Sequence, residues 1–323
     1  MRHFCTLFDS NYLLKGVAML CTLKQHCPDA HVHVLCMDKQ TREILQLMGL
    51  SHVTCLSLSE VEDEALLAVK PGRGMAEYCW TLSPCLPWYV LQHNPHIDAI
   101  TYLDADLYFY SPLQPLFEEI GDASIVIIEH RFPPALKHLE VQGRFCVEWV
   151  GFRRDGQGLA CLSRWREQCI EWCFHRLEQD RMGDQKYLDQ WPGKYSGLHI
   201  LQHTGAGVAP WNYSQYQFGQ DDRGMITVDG APLVFYHFHQ FQLLSNGSFD
   251  RLSGAYRAMG PEPKSVYEAY EAALTTALQD VRSLRTDFSA GMKPALRVKA
   301  QRLVQYLLPE PFKQLLKKVI KAV

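Results

Sequence analysis

The sequence predicts an α/β protein whose central sheet is flanked by helices on both faces. Strand-like and helix-like segments alternate through the first third of the 323-residue chain, an order that is typical of parallel strands joined by helices. Hydrophobic residues make up 47% of the chain and charged residues 21%, as in a globular protein with a sizeable buried core. The first strand is followed neither by a G-x-G-x-x-G segment nor by a glycine-rich P-loop, so a dinucleotide-binding fold is not expected.

Local patterns predict each element in order. Apolar and β-branched runs predict strands over 3–8, 31–37 and 52–58, and apolar residues at helical spacing predict helices over 12–26 and 40–48. The later predicted strands cover 98–103, 124–128, 147–152, 198–201 and 233–238, and the later helices cover 76–92, 159–173 and 183–191. The helix over 76–92 is expected to be interrupted near Pro84 and Pro87.

The composition changes at Gly260-Pro261-Glu262-Pro263, and the sequence beyond this point has a helical pattern. We therefore expect a catalytic domain over residues 1–260 and a helical C-terminal extension over residues 261–323. The extension ends in a basic amphipathic segment, whose apolar face contains Phe312, Leu315, Leu316, Val319, Ile320 and Val323. This face either lies on an anionic membrane surface or packs on the first domain.

Charge and hydropathy limit the expected partners and location. Eight basic residues and one acidic residue lie between Lys293 and Val323, although the whole chain has a formal net charge of −3. The main body is therefore acidic, and no nucleic acid partner is expected. The sequence shows neither an apolar run of about 18 residues nor a signal-peptide pattern. We expect a cytoplasmic protein, peripheral at the inner membrane surface if its C-terminal helix binds membrane.

Two acidic residues follow the predicted strand over 98–103. Asp104 and Asp106, separated by Ala105, stand where this strand ends, and open α/β sheets bind ligands at the carboxyl ends of their strands. Paired carboxylates suit Mg²⁺ or Mn²⁺, and such an ion can neutralise the charge that develops on a departing diphosphate. The alternative is that both residues are ordinary solvated acids of a loop.

The stretch from Ile100 to Phe117, around the acidic pair, resembles the metal-binding segment of GT-A glycosyltransferases. It reads ITYLDADLYFYSPLQPLF and is most similar to glycosyltransferase family 8 and related bacterial sugar transferases. Three other segments resemble family segments in the expected order: a uridine-binding turn at 8–12, a D-Q segment at 183–188 and a late histidine segment at 235–238. The resemblance implies a GT-A, Rossmann-like mixed sheet flanked by helices.

The same resemblance implies a metal site and a donor site. Mn²⁺ or Mg²⁺ would be bound by Asp104, Asp106 and His237, with His239 as the alternative imidazole. The nucleotide part of the donor would contact Phe8, Asp9, Asn11, Tyr12 and the acidic turn from Asp104 through Ala105 to Asp106.

The sugar part of the donor would bind at the D-Q segment. Asp184 would hydrogen-bond the sugar hydroxyls, and Gln185 would lie near the anomeric carbon, whose configuration the family retains. Two departures from the family concern this region and the diphosphate. Glu148 stands where the family has an Asn-Ala-Gly-like step, and we assign it to the acceptor. The family's diphosphate-binding lysine is missing after His239, and Arg73 is the predicted substitute.

The resemblance therefore implies a metal-dependent, retaining hexosyltransferase. It would move a sugar from a nucleotide diphosphate sugar, with UDP favoured by the turn at 8–12, to a saccharide or lipid-linked acceptor in cell-surface glycan synthesis. A nucleotidyltransferase that makes nucleotide sugars is an alternative, but the turn at 8–12 lacks the glycine-rich basic loop that holds a triphosphate. The missing lysine keeps a second alternative open, a catalytically inactive sugar-binding protein of the same fold.

Overall fold

A seven-stranded mixed sheet forms the centre of the chain, seen in a computed structural model that describes residues 1–252, 256, 259–296 and 298. Its strands are β1 (Arg2–Phe8), β2 (Ala30–Cys36), β3 (Val53–Ser57), β4 (Ala99–Leu103), β6 (Ile125–Glu129), β7 (Phe145–Arg153) and β8 (Leu198–Leu201). They lie in the order β3-β2-β1-β4-β7-β6-β8. The first four are mutually parallel, β7 is antiparallel to both neighbours, and β8 is parallel to β6. The mixed α/β sheet is thus as predicted.

Helices cover both faces of this sheet. They are α1 (Leu13–His26), α2 (Lys39–Met48), α3 (Leu58–Val61), α4 (Glu64–Val69), α5 (Met75–His93), α6 (Gln114–Ile120), α7 (Gly156–Glu171) and α8 (Lys264–Leu284). One apolar core contains residues of α1, α2 and α8, and a second contains residues of α5 and α7. Each face of the parallel strands is therefore covered, and the last five residues of β1 and of β2 are all buried.

Two helical predictions differ from the structure. Helix α5 runs without a break through Pro84 and Pro87. Both prolines are buried, and tertiary packing outweighs the hydrogen bonds that they remove. The helix predicted over 183–191 is a 3-10 helix at Gln185–Gly193, and Pro192 within it limits regular α-helical hydrogen bonding. Further 3-10 helices lie at Lys70–Gly72, Pro134–Gln142 and Tyr213–Gln215.

Short strands after β8 carry the chain back to the acidic turn. The strand β12 (Phe235–His237), shorter than the predicted 233–238, pairs antiparallel with β5 (Leu107–Phe109). Around it lie a small sheet of β9 (Phe218–Gln220), β10 (Ile226–Val228) and β11 (Ala231–Pro232), and a pair formed by β13 (Gln242–Leu243) and β14 (Phe249–Asp250). The pairing of β12 with β5 places the late histidine segment beside the acidic pair.

The described part of the C-terminal extension packs on the rest of the chain. Tyr270 of α8 stacks on Phe238 with ring centroids 3.7 Å apart, and the hydroxyls of Tyr236 and Tyr267 are 2.9 Å apart. No helix of the described residues is both long and apolar enough to cross a membrane. The basic amphipathic segment predicted for the end of the chain lies outside the described residues, and the domain boundary at residue 260 stays a prediction.

Candidate donor and metal site

The acidic pair forms a tight turn at the carboxyl end of β4. The amide of Asp104 donates to the carbonyl of Glu148 (3.2 Å), and the amide of Leu107 donates back to the carbonyl of Asp104 (3.4 Å). Ala105 is buried, and only 6% of Asp106 is exposed. The carbonyl of Asp106 also accepts the amide of Phe238 at 2.9 Å. The turn is thereby tied to both β7 and the end of β12.

His237 lies directly beside this turn. It is paired with Leu107 across the β5–β12 ladder, and its amide donates to the carbonyl of Val208 at 2.8 Å. Its Nε2 is 3.0 Å from Oδ1 of Asp106 and 3.9 Å from Oδ2 of Asp104. The structure therefore brings together the three side chains predicted as metal ligands, although His237 is more than 130 positions away from the acidic pair in sequence.

Glu148 binds the other nitrogen of the same imidazole. Its Oε2 is 2.6 Å from Nδ1 of His237, and none of its surface is exposed. A carboxylate there favours a proton on Nδ1, which leaves Nε2 facing the acidic turn. Burial opposes the charged imidazolium, but contact with Asp106 outweighs it and raises the pKa of His237 well above its usual value, so a cation bound at Nε2 would displace a proton. The assignment of Glu148 to an acceptor does not fit this burial, and the residue instead orients His237.

The remaining oxygen of Glu148 has no hydrogen-bond partner. It lies next to Gly207, whose backbone has a positive φ of 67°. If another residue replaced this glycine, its Cβ would be 2.8 Å from the Glu148 oxygen and 2.5 Å from Ile128 Cδ1. A side chain at position 207 would therefore displace Glu148 as well as strain the backbone.

Charges in this cluster act strongly on one another. Burial raises the pKa of Asp104 to about 7, and the negative charges of Asp106, Asp184 and Glu148 add to this effect against the opposing effect of His237. Burial works against ionisation of Asp106 too, but His237 and Lys15 outweigh it and hold the pKa of that carboxyl well below its usual range. An excess of buried negative charge is the usual setting of a divalent cation.

Lys15 is a cation of the site that the sequence analysis missed. Its Nζ is 3.4 Å from Oδ2 of Asp106, only 13% of its side chain is exposed, and its ammonium lies 4.5 Å from the ring centre of Tyr12. The sequence does contain an indication of this position for Lys15. It follows Tyr12 by one helical turn at the start of α1, so the two side chains share a face of the helix.

The predicted nucleotide-binding turn is well ordered by its own hydrogen bonds. Asp9 Oδ1 accepts the amides of Asn11 (3.0 Å) and Tyr12 (3.2 Å), and Asp9 Oδ2 accepts Nδ2 of Asn11 at 2.8 Å. The Tyr12 side chain is exposed, whereas Phe8 is buried. The Phe8 ring packs so closely on Gly16 that a Cβ at position 16 would be 2.5 Å from the ring. Phe8 can therefore offer a ligand its backbone but not its ring.

A segment after α8 touches this turn. The amide of Gly291 donates to Oδ1 of Asn11 at 3.2 Å, and a Cβ at Gly291 would be 2.1 Å from the carbonyl oxygen of Asn11. Two residues later, Lys293 is held by backbone hydrogen bonds to Leu243 (3.0 Å) and Ser245 (2.9 Å). The C-terminal extension thus forms part of the wall of the candidate donor site.

Asp184 belongs to the same acidic cluster. It is 5% exposed, and burial raises the pKa of its carboxyl to about 7. Its side chain does not cap the following 3-10 helix, so the capping role that its position suggests is not used. Gln185 lies at the surface end of this region, where its Nε2 donates to the carbonyl of Gln142 at 3.1 Å.

Two predicted residues have contacts elsewhere. Arg73 donates to the carbonyls of Ile170 (2.8 Å) and Cys169 (3.4 Å) at the end of α7 and stacks on Phe174 at 4.2 Å. These contacts engage its guanidinium away from the acidic turn, where Lys15 is the cation in contact. His239 lies behind His237, with ring centroids 5.7 Å apart, and burial lowers its pKa to about 4.

The donor set fits a hard divalent cation. Neighbouring ligands of an octahedral ion with bond lengths of about 2.1 Å are roughly 3 Å apart, and the contact between His237 and Asp106 has this length at 3.0 Å. The thiol of Cys146 is also within 4.8 Å of ligand atoms of Asp104 and His237. Asp106 does not belong to that group of three, and burial raises the pKa of the Cys146 thiol to about 12. The predicted ligands, two carboxylates and an imidazole, suit Mn²⁺ or Mg²⁺, whereas a set with the thiol would suit a softer ion.

The chain is similar over its length to two Bacillus subtilis (strain 168) proteins. It is 33% identical to the uncharacterized protein YfnD over 307 residues, which are 94% of this chain and 98% of YfnD. It is 30% identical to the uncharacterized protein YfnF over 293 residues, which are 88% of this chain and 96% of YfnF. No family model matches the chain.

Among solved structures, the chain is similar to the galactosyltransferase LgtC in complex with donor and acceptor sugar analogues. The TM-score is 0.50 at 14% identity, and the match covers 85% of this chain and 95% of LgtC. An active-site mutant of LgtC matches equally, with a TM-score of 0.50. At this identity the likeness concerns the fold, and it confirms the predicted GT-A architecture. The chain belongs to the family of YfnD and YfnF, and it has the GT-A fold of nucleotide-sugar transferases.

Proposed function

We propose that the chain is a metal-dependent glycosyltransferase that moves a sugar from a nucleotide diphosphate sugar to a saccharide or lipid-linked acceptor. One observation carries this proposal. Asp104, Asp106 and His237 meet at the carboxyl end of β4 in a GT-A fold, which is the edge where open α/β sheets bind their ligands. LgtC, with the same fold, is a galactosyltransferase that was crystallised with donor and acceptor sugar analogues.

Each side chain of the cluster has a role in this proposal. Asp104, Asp106 and His237 would hold Mn²⁺ or Mg²⁺, and Glu148 keeps the Nε2 lone pair of His237 directed at the ion. The bound ion supplies positive charge that stabilises the departing nucleoside diphosphate. Lys15, which pairs with Asp106 at 3.4 Å, supplies a second positive charge at the same place and takes the role of the missing family lysine.

The nucleotide would bind at the turn that opens α1. Asp9 and Asn11 present polar atoms, and the exposed ring of Tyr12 offers a surface on which a base can stack. Phe8 would contribute through its backbone, and Ala105 would face the nucleotide from the acidic turn. UDP is the favoured nucleotide because this turn resembles a uridine-binding segment.

The donor sugar would lie between the metal and the D-Q segment. A protonated or ionised Asp184, with its pKa of about 7, can donate to or accept from sugar hydroxyls. Gln185 would lie near the anomeric carbon. An amide is a poor nucleophile, so Gln185 would not attack the sugar. The acceptor would instead attack the anomeric carbon on the face from which the leaving group departs, which retains the configuration.

The acceptor and the cellular setting extend this proposal. A saccharide or lipid-linked acceptor would place the enzyme in cell-surface glycan synthesis, at the cytoplasmic side of the membrane. Sedimentation with anionic liposomes tests the membrane contact, by comparing the full chain with a chain that ends at Pro309. Equal partitioning of the two would contradict a role for the basic amphipathic segment.

A thermal-shift screen tests the function itself. UDP-sugars and GDP-sugars would each be tested with and without Mn²⁺, because a ligand at 100 times its dissociation constant stabilises the native state by about 2.7 kcal/mol. We expect a UDP-sugar to raise the melting temperature only when Mn²⁺ is present. Stabilisation by a nucleoside triphosphate with a sugar phosphate, but by no nucleotide sugar, would instead indicate a nucleotidyltransferase. No response to any nucleotide would contradict both.

A further inference from the structure

A cysteine thiol lies beside the imidazole that faces the acidic turn. Cys146 stands two residues before Glu148 in β7. One ligand atom of Cys146, one of Asp104 and one of His237 all lie within 4.8 Å of one another. Asp106 is outside this group, so the acidic turn is bordered by a second set of three potential ligands, which shares two members with the first.

The usual role of a buried cysteine is that of a small hydrophobic side chain. Cys146 is 5% exposed, but its neighbours at ligand distance are a carboxylate and an imidazole. The completely buried Glu148 adds a further negative charge, and one of its oxygens has no hydrogen-bond partner. The three carboxylates of the cluster face two cations, His237 and Lys15, and this excess of negative charge favours a bound metal ion.

A thiol changes which ions a site prefers. A thiolate, an imidazole and a carboxylate are all ligands that Zn²⁺ uses in proteins, in a tetrahedral arrangement whose fourth position can stay open to water. Sulfur is a poor ligand for Mn²⁺ and Mg²⁺, which prefer oxygen. For a given set of ligands, Zn²⁺ is also bound more tightly than Mn²⁺. We call Asp104, Cys146 and His237 the zinc set, and Asp104, Asp106 and His237 the manganese set.

Small shifts would close the zinc set around an ion. Neighbouring ligand atoms of tetrahedral Zn²⁺ are roughly 3.4–3.6 Å apart, given bonds of about 2.0–2.3 Å. Nε2 of His237 is 3.9 Å from Oδ2 of Asp104, and no separation within the group exceeds 4.8 Å. The side chain of Asp104 is 30% exposed, so it has room for this adjustment and gives an ion access from solvent.

We propose that Cys146 gives the site a second mode of metal binding, in which Asp104, Cys146 and His237 hold Zn²⁺. The thiol proton and the proton on Nε2 of His237 are released to solvent as the zinc–sulfur and zinc–nitrogen bonds form. Because the two sets share Asp104 and His237, Zn²⁺ and Mn²⁺ compete, and a bound Zn²⁺ leaves Asp106 paired with Lys15. Inhibition of sugar transfer by Zn²⁺ follows. This consequence rests on the proposed function, whereas the binding itself does not.

Co²⁺ titration of the untagged full chain tests this proposal, because Co²⁺ occupies zinc sites and a bound thiolate gives it charge-transfer absorption in the near ultraviolet. The original chain would be compared with Cys146→Ser, which keeps the size of the side chain but replaces the sulfur. The matched control is Cys5→Ser, since Cys5 is also a buried strand cysteine but packs in the second apolar core. Any Co²⁺ bound by the remaining cysteines is common to all three chains.

A second measurement follows the competition between the two ions. Zn²⁺ would be added to the original chain loaded with Mn²⁺, and the electron paramagnetic resonance of free Mn²⁺ would report the release. We expect one equivalent of Zn²⁺ to release the bound Mn²⁺. In Cys146→Ser, the preference for Zn²⁺ over Mn²⁺ should fall by at least about 10-fold, the least that loss of even an outer partner of a ligand costs.

We expect the original chain and Cys5→Ser to show the thiolate band at one equivalent of Co²⁺, and Cys146→Ser to lack it while keeping its folded circular dichroism spectrum. Cys146→Ala provides a second variant with the same expectation. A band of equal intensity in Cys146→Ser, or no band in the original chain, would overturn the proposal, as would retention of Mn²⁺ by the original chain in excess Zn²⁺. None of these readouts involves a sugar. Failure of the proposed function would leave the thiolate band in place, and loss of the band would leave the proposed function untouched.

Discussion

Replacing Glu148 by glutamine tests how the site controls its histidine ligand. The carboxylate contacts Nδ1 of His237 at 2.6 Å and is completely buried, so the bond is short and not weakened by water. Glutamine keeps the size of the side chain but removes the negative charge that makes His237 a strong ligand. Changes to such outer partners typically cost 10- to 100-fold in metal affinity, which corresponds to about 1.4–2.7 kcal/mol.

The assay is a Mn²⁺ titration of the original chain and of Glu148→Gln, followed by the electron paramagnetic resonance of free Mn²⁺. The matched control is Glu119→Gln, because Glu119 makes a similar contact with His199, at 2.8 Å, on the far strand of the sheet. We expect weaker Mn²⁺ binding in Glu148→Gln only. An unchanged Mn²⁺ affinity in Glu148→Gln would refute the role assigned to this carboxylate.

Two further predictions concern Lys15 and His130. Lys15→Met should weaken nucleoside diphosphate binding by roughly 10- to 150-fold, since a hydrogen bond to a charged group contributes about 1.5–3 kcal/mol. Calorimetry with UDP and Mn²⁺ measures this affinity, with Lys39→Met as the exposed control. Equal affinities of Lys15→Met and Lys39→Met would contradict the prediction. Burial lowers the pKa of His130 to about 3, so its contribution to stability is present above pH 6.5 and is lost as the pH falls, when the unfolded chain takes up the proton. At pH 5 this loss amounts to about 2 kcal/mol. Urea unfolding at pH 7 and pH 5 should show that the free energy of unfolding falls by about 2 kcal/mol less in His130→Gln than in the original chain. An identical fall in both chains would count against the prediction.

The general fold was predictable because local periodicity and strand composition carry the information. The alternation of β1, α1, β2, α2 and β3 follows from apolar spacing, and the structure has these elements within a few residues of their predicted ends. Strand direction was not predictable, since nothing in a run of nine buried or half-buried residues such as β7 shows that the strand pairs antiparallel with both neighbours. That direction follows from the path of the connecting chain.

Parts of the candidate site were predictable for a similar reason. Asp104 and Asp106 follow a strand, and the resemblance placed His237 beside them. The contact of Glu148 with His237 and that of Lys15 with Asp106 were not predictable, because these partners are 89 and 91 positions apart. One acid in a buried strand, or one lysine in a helix, also has an ordinary structural explanation. Such pairs become visible only when the sheet brings β7 and α1 to the same edge.

Arg73, the predicted substitute for the missing family lysine, makes its contacts away from the acidic turn. A cation in a glycine-containing turn suits a phosphate, but the guanidinium of Arg73 donates to carbonyls at the end of α7. The nearer cation, Lys15, lies inside a predicted helix whose charged residues are normally solvated. Its burial against Asp106 depends on tertiary packing that the local sequence does not encode.

The most direct test of the proposed function is Mn²⁺-dependent hydrolysis of a UDP-sugar by the original chain and by Asp106→Asn. Asp106 is the carboxylate that contacts both His237 and Lys15, and asparagine has a similar size but no charge. We expect the original chain to release UDP only when Mn²⁺ is present, and Asp106→Asn to release none above background while keeping its folded circular dichroism spectrum. Full metal-dependent hydrolysis by Asp106→Asn would contradict the assignment of the acidic turn as the metal site.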